Sequence, residues 1–460
     1  MKFSEEAVFI VKTLRDHGTA FVVGGCVRDK LMGVDVHDED ITTSILPQKV
    51  SEIFKELGYP VIPTGIKHGT VTVLINRKPY EITTYRIDGN YTDGRHPDSI
   101  SFTADVKDDL ARRDFTINAI AYDPVNDEII DPYHGIDDIK NKIVRAVGDP
   151  NDRIAEDRLR MMRAVRFAAE KGMVIEPGLY RAVRNYAHEI TSVSAERIGE
   201  ELHKMMTGRD PREALVLLHR TRLLEAFAPE LDILFDTPQN NPHHIYDAGH
   251  HTAAVLKDIE STDDVLRFAA LFHDAGKAAV RTTDEKGIDH FYGHPAVSAK
   301  IAHQVMKRLK YSNRLIDGTV LLVKHHEEIG DPKMNMAKYL FRNQDIASPE
   351  IMKQLFILRR ADVSGQNPDT WQKKYDDMDA LEQKLARITV FSEKDLAVNG
   401  NDLIGYLRDR GIVLKGHDVG LLKNSLLHAV MVEKEENTKE HLLTICEKRY
   451  RMILKEKGNS

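Results

Sequence analysis

The chain has 460 residues, 42% of them apolar and 30% charged, an ordinary globular mixture whose length predicts about three domains. The net charge of −7 argues against a general nucleic-acid coat but allows a local basic cleft. Apolar runs are too short for a membrane span, the N-terminus lacks a signal pattern, and Cys26 and Cys446 cannot form a disulfide framework, so we expect a cytoplasmic protein without membrane contact.

The first part of the chain predicts a mixed α/β domain. Apolar residues at helical spacing indicate a helix over 4–17. AFVVGG (20–25) is typical of a buried strand that ends in two glycines, and the segments TVTVLI (70–75) and YEITTYR (80–86) alternate as strands do.

Helical patterns dominate after Gly148. They predict helices over 153–171, 177–189 and 194–207, followed by a loop rich in Pro, Asn and Asp over 236–244. A histidine-rich helical region and a helical C-terminal region complete the chain. We therefore predict an α+β protein in four parts: 1–148, 149–235, 236–370 and 371–460.

Three carboxylates are candidates for a metal site. Residues two apart on a strand share a face, so Asp38 and Asp40 would project together from one short strand in HDEDITTS (37–44). Glu81, on a later strand, can complete the set. Such carboxylates can hold two Mg²⁺ ions that activate an attacking hydroxyl and stabilise a leaving pyrophosphate. Taken alone, an Asp-x-Asp pair is more often part of a solvated turn.

The segment VVGGCVRD (22–29) predicts a phosphate-binding turn. Gly24 and Gly25 carry no side chain and would let the backbone approach a triphosphate. Arg28 would then serve as the cationic partner of the phosphates.

The segment EDRLR (156–160) predicts base selection. Asp157 and Arg160 are three residues apart, a spacing that places both on one face of a helix. Asp157 can accept a hydrogen bond from the amino group of cytosine or adenine, while Arg160 donates to the neighbouring ring acceptor. Guanine and uracil present a carbonyl where Asp157 needs a donor. The alternative is an ordinary surface ion pair.

Together these motifs resemble those of the tRNA nucleotidyltransferase/poly(A) polymerase family, specifically the bacterial-type CCA-adding enzymes. The resemblance covers about residues 20–235. It implies a polymerase-β-like head that uses Mg²⁺, CTP and ATP, and helical neck, body and tail segments that hold the acceptor arm and 3′ end of tRNA. The motifs are GGCVRD (24–29), the Asp38/Asp40 pair, DGNYTDGRHP (88–97), RRDFTIN (112–118), DPYHGIDD (131–138), EDRLR (156–160) and AERIGEEL (195–202).

The resemblance implies roles for individual residues. Asp38 and Asp40 would be the catalytic metal ligands, and Arg113 and Asp114 would lie near the ribose. This sequence departs from the family pattern at Glu39, where an aliphatic residue is more usual; we expect Glu39 to point to the opposite face. The full set of predicted site residues in this part of the chain is Asp38, Asp40 and Glu81 for catalysis, and Gly24, Gly25, Arg28, Arg113, Asp114, Asn118, Asp157, Arg160, Arg163 and Arg166 for nucleotide binding.

The segment RIDGNYTDGRHP (86–97) is predicted to be a mobile loop. Family members that stop after adding CC have a shortened loop, so its presence argues against a CC-only enzyme. It does not separate a full CCA-adding enzyme from an A-adding enzyme.

The histidine-rich region predicts a second metal site. LFHDAGK (271–277) resembles the signature of HD-domain metal-dependent phosphohydrolases, which occur in one subgroup of bacterial CCA-adding enzymes. Imidazole and carboxylate ligands suit Mn²⁺, Ni²⁺, Co²⁺ or Fe²⁺, and all ligand types are present, so we expect an active site. His325 competes with His326 for one position, and the following Glu327 favours His326. The predicted ligands are His251, His273, Asp274, His294, His326 and Asp362.

We therefore predict template-independent addition of CCA to tRNA from CTP and ATP, with phosphohydrolase activity in the HD region. An A-adding enzyme is the nearest alternative. A protein whose main activity is HD-type phosphoester hydrolysis and a non-catalytic RNA-binding scaffold are more distant ones. The motifs RRDFTIN and EDRLR argue against the hydrolase, and the intact carboxylates argue against the scaffold.

Overall fold

The computed structural model describes residues 1–36, 38–89, 99–261 and 263–458. The chain forms two compact units, one of residues 1–232 with 308–311 and the other of residues 233–307 with 312–460. Within the described ranges, no helix combines the length and apolar character needed to cross a membrane.

The described part of the first unit contains eleven short strands. They are β1 (Ala20–Val23), β2 (Ile41–Thr43), β3 (Val61–Gly65), β4 (Thr70–Ile75), β5 (Lys78–Thr84), β6 (Arg86–Asp88), β7 (Ile100–Phe102), β8 (Ala121–Asp123), β9 (Glu128–Ile130), β10 (Ile143–Val144) and β11 (Val174–Ile175). Seven of them form a mixed sheet in the order β3-β4-β5-β2-β1-β8-β9. Strand β1 runs antiparallel to β2 and β8, whereas β2 runs parallel to β5, so the middle of the sheet brings together segments that are far apart in sequence.

Helices pack on this sheet, and further helices follow it along the chain. Ile10 and Leu14 of the first helix and Phe54 of the third lie in one buried cluster with Val22 and Val71 of the sheet. Burying each such side chain contributes about 1.5–3 kcal/mol. The helices are α1 (Glu5–Arg15), α2 (Gly25–Leu31), α3 (Pro47–Glu56), α4 (Val106–Ala111), α5 (Gly135–Asn141), α6 (Pro150–Glu156), α7 (Leu159–Lys171), α8 (Pro177–Tyr186), α9 (Ala195–Thr207), α10 (Pro211–Arg220), α11 (Leu223–Phe227) and α12 (Pro229–Asp232).

In the second unit, the described elements are helices and one short hairpin. Helices α13, α14, α17 and α19 pack against one another. Its elements are α13 (Ala248–Asp258), α14 (Asp264–Phe272), α15 (Lys277–Val280), β12 (Thr282–Thr283), β13 (Asp289–His290), α16 (His294–Arg308), α17 (Asn313–His325), α18 (Met336–Arg342), α19 (Pro349–Ser364), α20 (Trp371–Leu385), α21 (Gly400–Arg408), α22 (Gly416–Met431) and α23 (Lys439–Gly458).

Most predicted elements are confirmed, but the helix predicted over 153–171 is wrong. The chain is helical to Glu156, extended at Asp157 with φ −145°, and helical again from Leu159. The break has a local cause, because the Asp157 carboxylate accepts a hydrogen bond from the Leu159 amide at 3.0 Å. Aspartate commonly satisfies free amides at the start of a helix in this way.

The predicted fold class, an α+β protein with a mixed α/β head followed by helical segments, is confirmed. The boundary between the compact units lies between Asp232 and Ile233. The finer division into four parts stays a prediction. Of the loop predicted over 86–97, residues 90–97 lie outside the described residues.

Candidate functional site

Three carboxylates meet at the middle of the first unit's sheet. Asp38 and Asp40 precede strand β2, and the prediction that they lie on a strand is wrong because pairing with β1 begins only at Ile41. Ile41 lies opposite Ile82 of the parallel strand β5. The residues just before them, Asp40 and Glu81, are therefore neighbours. All three carboxylates are exposed.

The carboxylates share one electrostatic environment. Desolvation by the surrounding protein raises the pKa of Asp40, the positive charge of Arg113 opposes that shift, and the charges of Glu81 and Asp38 raise the pKa further. A divalent cation would relieve this repulsion, and carboxylate oxygens are ligands that Mg²⁺ prefers. Among the described residues, however, these three carboxylates do not form a set whose ligand atoms all lie within 4.8 Å.

Glu39 points away from the two aspartates, as predicted. It is only 6% exposed, and its carboxylate accepts hydrogen bonds from the Ser4 amide at 3.0 Å and from the Ser4 hydroxyl. The Glu39 carboxylate therefore interacts with the start of α1 and does not compete with Asp38 and Asp40 for the cation.

In the turn after β1, the guanidinium of Arg113 occupies the space that a side chain on Gly24 would need. Gly24 has φ +84°, and a Cβ there would lie 2.7 Å from Nη1 of Arg113. Nη2 of Arg113 lies 3.4 Å from the buried carboxylate of Asp109. Gly25, the first residue of α2, is less constrained, since a Cβ there would meet Arg28 only at 3.5 Å. Gly24 and Arg113 thus form one unit beside Asp40.

Four of the predicted nucleotide-binding residues are joined in a buried hydrogen-bond network. Arg28 donates to both oxygens of Asp29 at 2.9 Å and also to the Asn118 side chain. Asn118 donates to Asp114 at 2.9 Å, and Arg163 donates to the other oxygen of Asp114 at 2.8 and 2.6 Å. Arg28 is therefore paired within the protein, and its role as a cationic partner of the phosphates stays a prediction.

Asp114 is held ionised by this network. Burial by itself would raise its pKa, but Arg163 and Asn118 outweigh it and lower the pKa to about 2. The charge of Asp114 in turn raises the pKa of Arg163. The pair is thus charged at neutral pH and holds the segment after α4 against α7.

Asp157 and Arg160 do not share a helix face, because the helix breaks at Asp157. The Asp157 carboxylate accepts hydrogen bonds from Arg197 of α9 at 3.3 and 2.7 Å. Arg160 instead donates to Glu156 at 2.5 Å. Arg197 is a partner that the site prediction missed, although it belongs to the recognised AERIGEEL segment.

Arg166 has acidic partners of its own. It donates to Glu201 of α9 at 2.7 Å and to Glu170 at 3.0 Å, and its guanidinium lies 4.3 Å from the ring centre of Phe167. In this structure Arg166 ties α7 to α9, and its role at the nucleotide stays a prediction.

In the second unit, all six predicted ligands converge. His251 Nε2 lies 3.0 Å from Asp362 Oδ1 and 3.4 Å from His273 Nε2. His294 Nε2 lies 3.3 Å from His326 Nε2 and 3.2 Å from Asp274. Two sets have ligand atoms that all lie within 4.8 Å, and Asp274 belongs to both; the sets are His251, His273 and Asp274, and Asp274, His294 and His326. Every one of the six side chains is buried. We refer to them below as the HD cluster.

The four histidines are oriented alike. In each ring Nδ1 faces a backbone carbonyl, which leaves an Nε2 lone pair directed at the cluster. Desolvation is the main cause that lowers the pKa of His326, to about 3, so this ring is neutral as a metal ligand must be. Opposed Nε2 lone pairs repel unless a cation lies between them, so this donor set fits a divalent metal. The carbonyl contacts are His251 to Gly365 at 3.0 Å, His273 to Ala270 at 2.7 Å, His294 to Phe291 at 3.0 Å and His326 to Val323 at 2.7 Å.

The two adjacent histidines have different partners. His326 faces the HD cluster, whereas His325 lies 2.8 Å from Glu328 and 3.3 Å from Asp345. The geometry favours His326, whose role as a metal ligand stays a prediction.

A pocket of about 390 Å³ lies beside the HD cluster, lined by residues that include Lys277, His244 and His294. Lys277 Nζ is 2.7 Å from Asp274 and donates to Gln239 at 2.7 Å. The sequence prediction missed Lys277 as a site residue although it ends the LFHDAGK motif, and it missed His244 because no motif marks that position.

Comparison with known proteins gives matches along most of the chain. Residues 20–145 match the Poly A polymerase head domain, residues 172–234 match the probable RNA and SrmB-binding site of polymerase A, and residues 243–383 match the HD domain. The three matches follow the order in which the mixed sheet, the helices after it and the histidine-rich helices occur.

One curated relative and one solved structure are similar over nearly the whole chain, and a second relative is similar over about half of it. A CCA-adding enzyme of Geobacillus stearothermophilus is 32% identical over 440 residues, 95% of each chain. Another, from Lactobacillus helveticus, is 44% identical over 238 residues, which are 51% of this chain and 58% of that enzyme. The crystal structure of the Bacillus stearothermophilus CCA-adding enzyme in complex with CTP has a TM-score of 0.73 and 29% identity and covers 98% of both chains. The chain therefore belongs to the family of bacterial CCA-adding enzymes and carries an HD domain.

Proposed function

We propose that this protein adds C, C and A to the 3′ end of tRNA from CTP and ATP without a nucleic-acid template. The observation that carries the proposal is the meeting of Asp38, Asp40 and Glu81 beside the Gly24–Arg113 turn. Relatives named CCA-adding enzymes over 95% of the chain support it, as does the similarity to an enzyme that binds CTP. Such a reaction takes place in the cytoplasm, where tRNA and both triphosphates are available.

Asp38 and Asp40 would hold Mg²⁺, with Glu81 as the third carboxylate. A bound divalent cation supplies charge stabilisation for phosphoryl transfer. The tRNA 3′-hydroxyl forms a bond to the α-phosphorus while the bond to the β-phosphate oxygen breaks and pyrophosphate leaves. Arg113, fixed by Asp109 and fitted over Gly24, places a positive charge beside the carboxylates, where the triphosphate would lie.

Base selection is assigned to Asp157 and Arg160, with Arg197 as a positioning residue. The carboxylate of Asp157 accepts a hydrogen bond from the amino group of cytosine or adenine, whereas uracil and guanine present a carbonyl oxygen at that position. Arg197 contacts both oxygens of Asp157 and restricts its rotation. A fixed acceptor discriminates better than a mobile one, because a mobile carboxylate can turn away from the wrong base at little cost.

The test uses purified protein with tRNA lacking its 3′ CCA, tRNA ending in C and tRNA ending in CC, followed by sequencing of the products. Full CCA addition predicts that all three end in CCA when CTP and ATP are present. An A-adding enzyme would extend only the tRNA that ends in CC. Absence of any incorporation would contradict the proposal and favour the HD region as the main activity.

The HD cluster supports a second proposed activity, metal-dependent hydrolysis of a 2′,3′-cyclic phosphate or a phosphomonoester. His251, His273, His294, His326, Asp274 and Asp362 would hold Mn²⁺, Ni²⁺, Co²⁺ or Fe²⁺, and Asp274 belongs to both candidate ligand sets. The histidines direct their Nε2 atoms into the cluster, and Lys277, paired with Asp274, lines the pocket where the phosphate would lie.

The second activity is tested by replacing both His273 and Asp274 with Ala. The double variant should lose hydrolysis stimulated by Mn²⁺, Ni²⁺ or Co²⁺ while nucleotide addition persists. If the wild-type protein hydrolyses neither substrate with any of these metals, the HD domain is structural and the second activity is rejected.

A further inference from the structure

A cavity of about 620 Å³ lies in the second unit, where the ends of α20 and α22 approach the start of α18. Its volume is within the range of about 300–1,000 Å³ that small-molecule sites usually have. None of the described residues that line it belongs to the HD cluster. We refer to it below as the C-terminal cavity, for which neither proposed activity has a use.

The inner surface of the C-terminal cavity is apolar. Met336, Val390 and Met431 are buried there, and Ile388 and Val430 are half-buried. No aromatic side chain is among the described residues that line the cavity, so a flat ring has no partner on which to stack. Methionine is unbranched and adapts its shape to an irregular apolar neighbour. This surface therefore suits a flexible aliphatic chain better than an aromatic ring.

Three exposed cations line the same cavity, Lys333, Arg387 and Lys434. Among the described residues, none of the three has a carboxylate partner. Glu435, the one acidic residue in the described lining, already contacts His441 Nε2 at 2.6 Å. The positive charge at the cavity is therefore not compensated within the protein and would attract an anion.

A fourth cation, Lys384, is fixed at the cavity wall. It lies in the last turn of α20, and its ammonium donates to the backbone carbonyls of Pro332 and, at 3.2 Å, of Met334. An ammonium has three N–H donors, so one remains for a ligand. The opposite stretch of lining is also held, because the Asn437 side chain donates to the carbonyl of Asp395 at 2.8 Å. Groups positioned before binding lose little conformational freedom when a ligand enters.

We propose that the C-terminal cavity binds a small amphiphilic anion of the chemical class of a medium-chain fatty acid. Its aliphatic chain contacts the apolar inner surface, and its anionic head is held by Lys384 and the exposed cations. An apolar cavity alone would favour a neutral ligand, and a cationic patch alone would bind inorganic anions. The combination selects a ligand that has both parts, and each methylene group that is buried should improve affinity by up to about fourfold.

Isothermal titration calorimetry of the full-length protein with octanoate, octan-1-ol and acetate tests this proposal. Octanoate has both the chain and the charge, octan-1-ol has only the chain, and acetate has the charge with a single methyl group. We expect octanoate to bind at least about tenfold more tightly than either of the others, with hexanoate weaker than octanoate. A wild-type protein that binds octanoate no better than acetate, or no better than octan-1-ol, would overturn the proposal.

Two variants separate the charged part of the site from the apolar part. Arg387→Glu should weaken octanoate binding at least about fivefold and change octan-1-ol binding less than twofold. Ile388→Ser should weaken the binding of both ligands. Arg408→Glu is the matched control, because Arg408 is an exposed cation on α21 outside the cavity lining, and it should change neither. Equal weakening of octanoate binding by the two Arg→Glu variants would assign the effect to net charge and contradict the proposal.

RNA phosphate is the competing occupant of these cations. A gel-shift assay with tRNA compares Arg387→Glu with Arg408→Glu. Weaker tRNA binding in Arg387→Glu alone, combined with unchanged octanoate binding, would assign the cations to RNA and overturn the proposal. Unchanged tRNA binding combined with weaker octanoate binding supports it.

Discussion

The three carboxylates of the head are exposed to solvent, whereas the six side chains of the HD cluster are buried. Among the described residues, the carboxylate oxygens of the three head residues do not all lie within 4.8 Å of one another. The HD cluster contains two sets of three residues whose ligand atoms do. The head site therefore needs a metal ion and a nucleotide from solution to bring its carboxylates together. In the HD cluster, the ligand atoms already lie close together within the protein.

This difference has a thermodynamic basis. The head carboxylates reach solvent, although the protein partly desolvates Asp40, and they can remain apart, so the metal and the triphosphate together must draw them into position. Buried ligands have already lost their hydration, and hydrogen bonds from their outer atoms fix their orientation. We therefore expect the HD cluster to bind metal without substrate, and the head to bind Mg²⁺ mainly together with a nucleotide.

The largest expected effect comes from the head. Asp40→Ala should lower nucleotide addition at least about 1,000-fold, because losing a metal ligand removes several kcal/mol of charge stabilisation in the transition state. The side chain is exposed, so thermal stability and tRNA binding should change little. Radiolabelled CTP incorporation and a tRNA gel-shift assay measure the two quantities. Asp35→Ala, an exposed carboxylate in the same segment, is the matched control; incorporation by Asp40→Ala at the control's rate would remove Asp40 from the mechanism.

Substitution of two adjacent histidines tests whether the HD cluster is a preformed metal site. His326→Ala should weaken Mn²⁺ binding at least about 100-fold, since even outer-shell changes at metal sites cost 10- to 100-fold. His325→Ala should leave it within about twofold, because His325 contacts Glu328 and Asp345 instead. Metal content by mass spectrometry and calorimetric titration, both without substrate, make the measurement. Equal losses in the two variants would mean that the cluster is not a metal site.

Base selection should show an intermediate effect. Asp157→Ala should relax discrimination against UTP by about 1–3 kcal/mol, roughly 5- to 150-fold in the ratio of kcat/KM for CTP and UTP. Arg197→Ala should relax it less, because the carboxylate remains but loses its two fixed contacts. Unchanged CTP/UTP ratios in Asp157→Ala would rule out selection by the protein.

The smallest effect concerns stability and its dependence on pH. Asp114 has its pKa lowered from 3.8 to about 2, which corresponds to about 2 kcal/mol of stabilisation at neutral pH. Because the folded-state pKa is the lower one, this stabilisation is present above about pH 4 and is lost as the pH falls toward 2. Asp114→Asn should therefore reduce protection of nearby amides at pH 7, and its difference from wild type should shrink below pH 4.

Hydrogen exchange followed by mass spectrometry in the full-length protein measures this difference. The exposed Asp152→Asn serves as control. A difference between Asp114→Asn and wild type that stays constant from pH 7 to pH 3 would contradict the linkage.

The sequence by itself determined the class of the protein and the identity of most candidate ligands. Helix α1 and strand β4 follow directly from local periodicity, since apolar spacing depends only on which side chains must leave water. The ordered motifs similarly identified the carboxylates of the head and the ligands of the HD cluster, because the chemistry of each site needs those residue types.

Tertiary structure alone decided which of these residues face one another. The spacing of Asp157 and Arg160 predicted a shared helix face, but Asp157 ends one helix and pairs with Arg197, 40 residues away. The contacts of Arg28 with Asp29 and Asn118 also could not be read from the motif, because Asn118 lies 90 residues away in the sequence. A charged side chain chooses its partner by distance and burial in three dimensions, and neither quantity is encoded in local spacing.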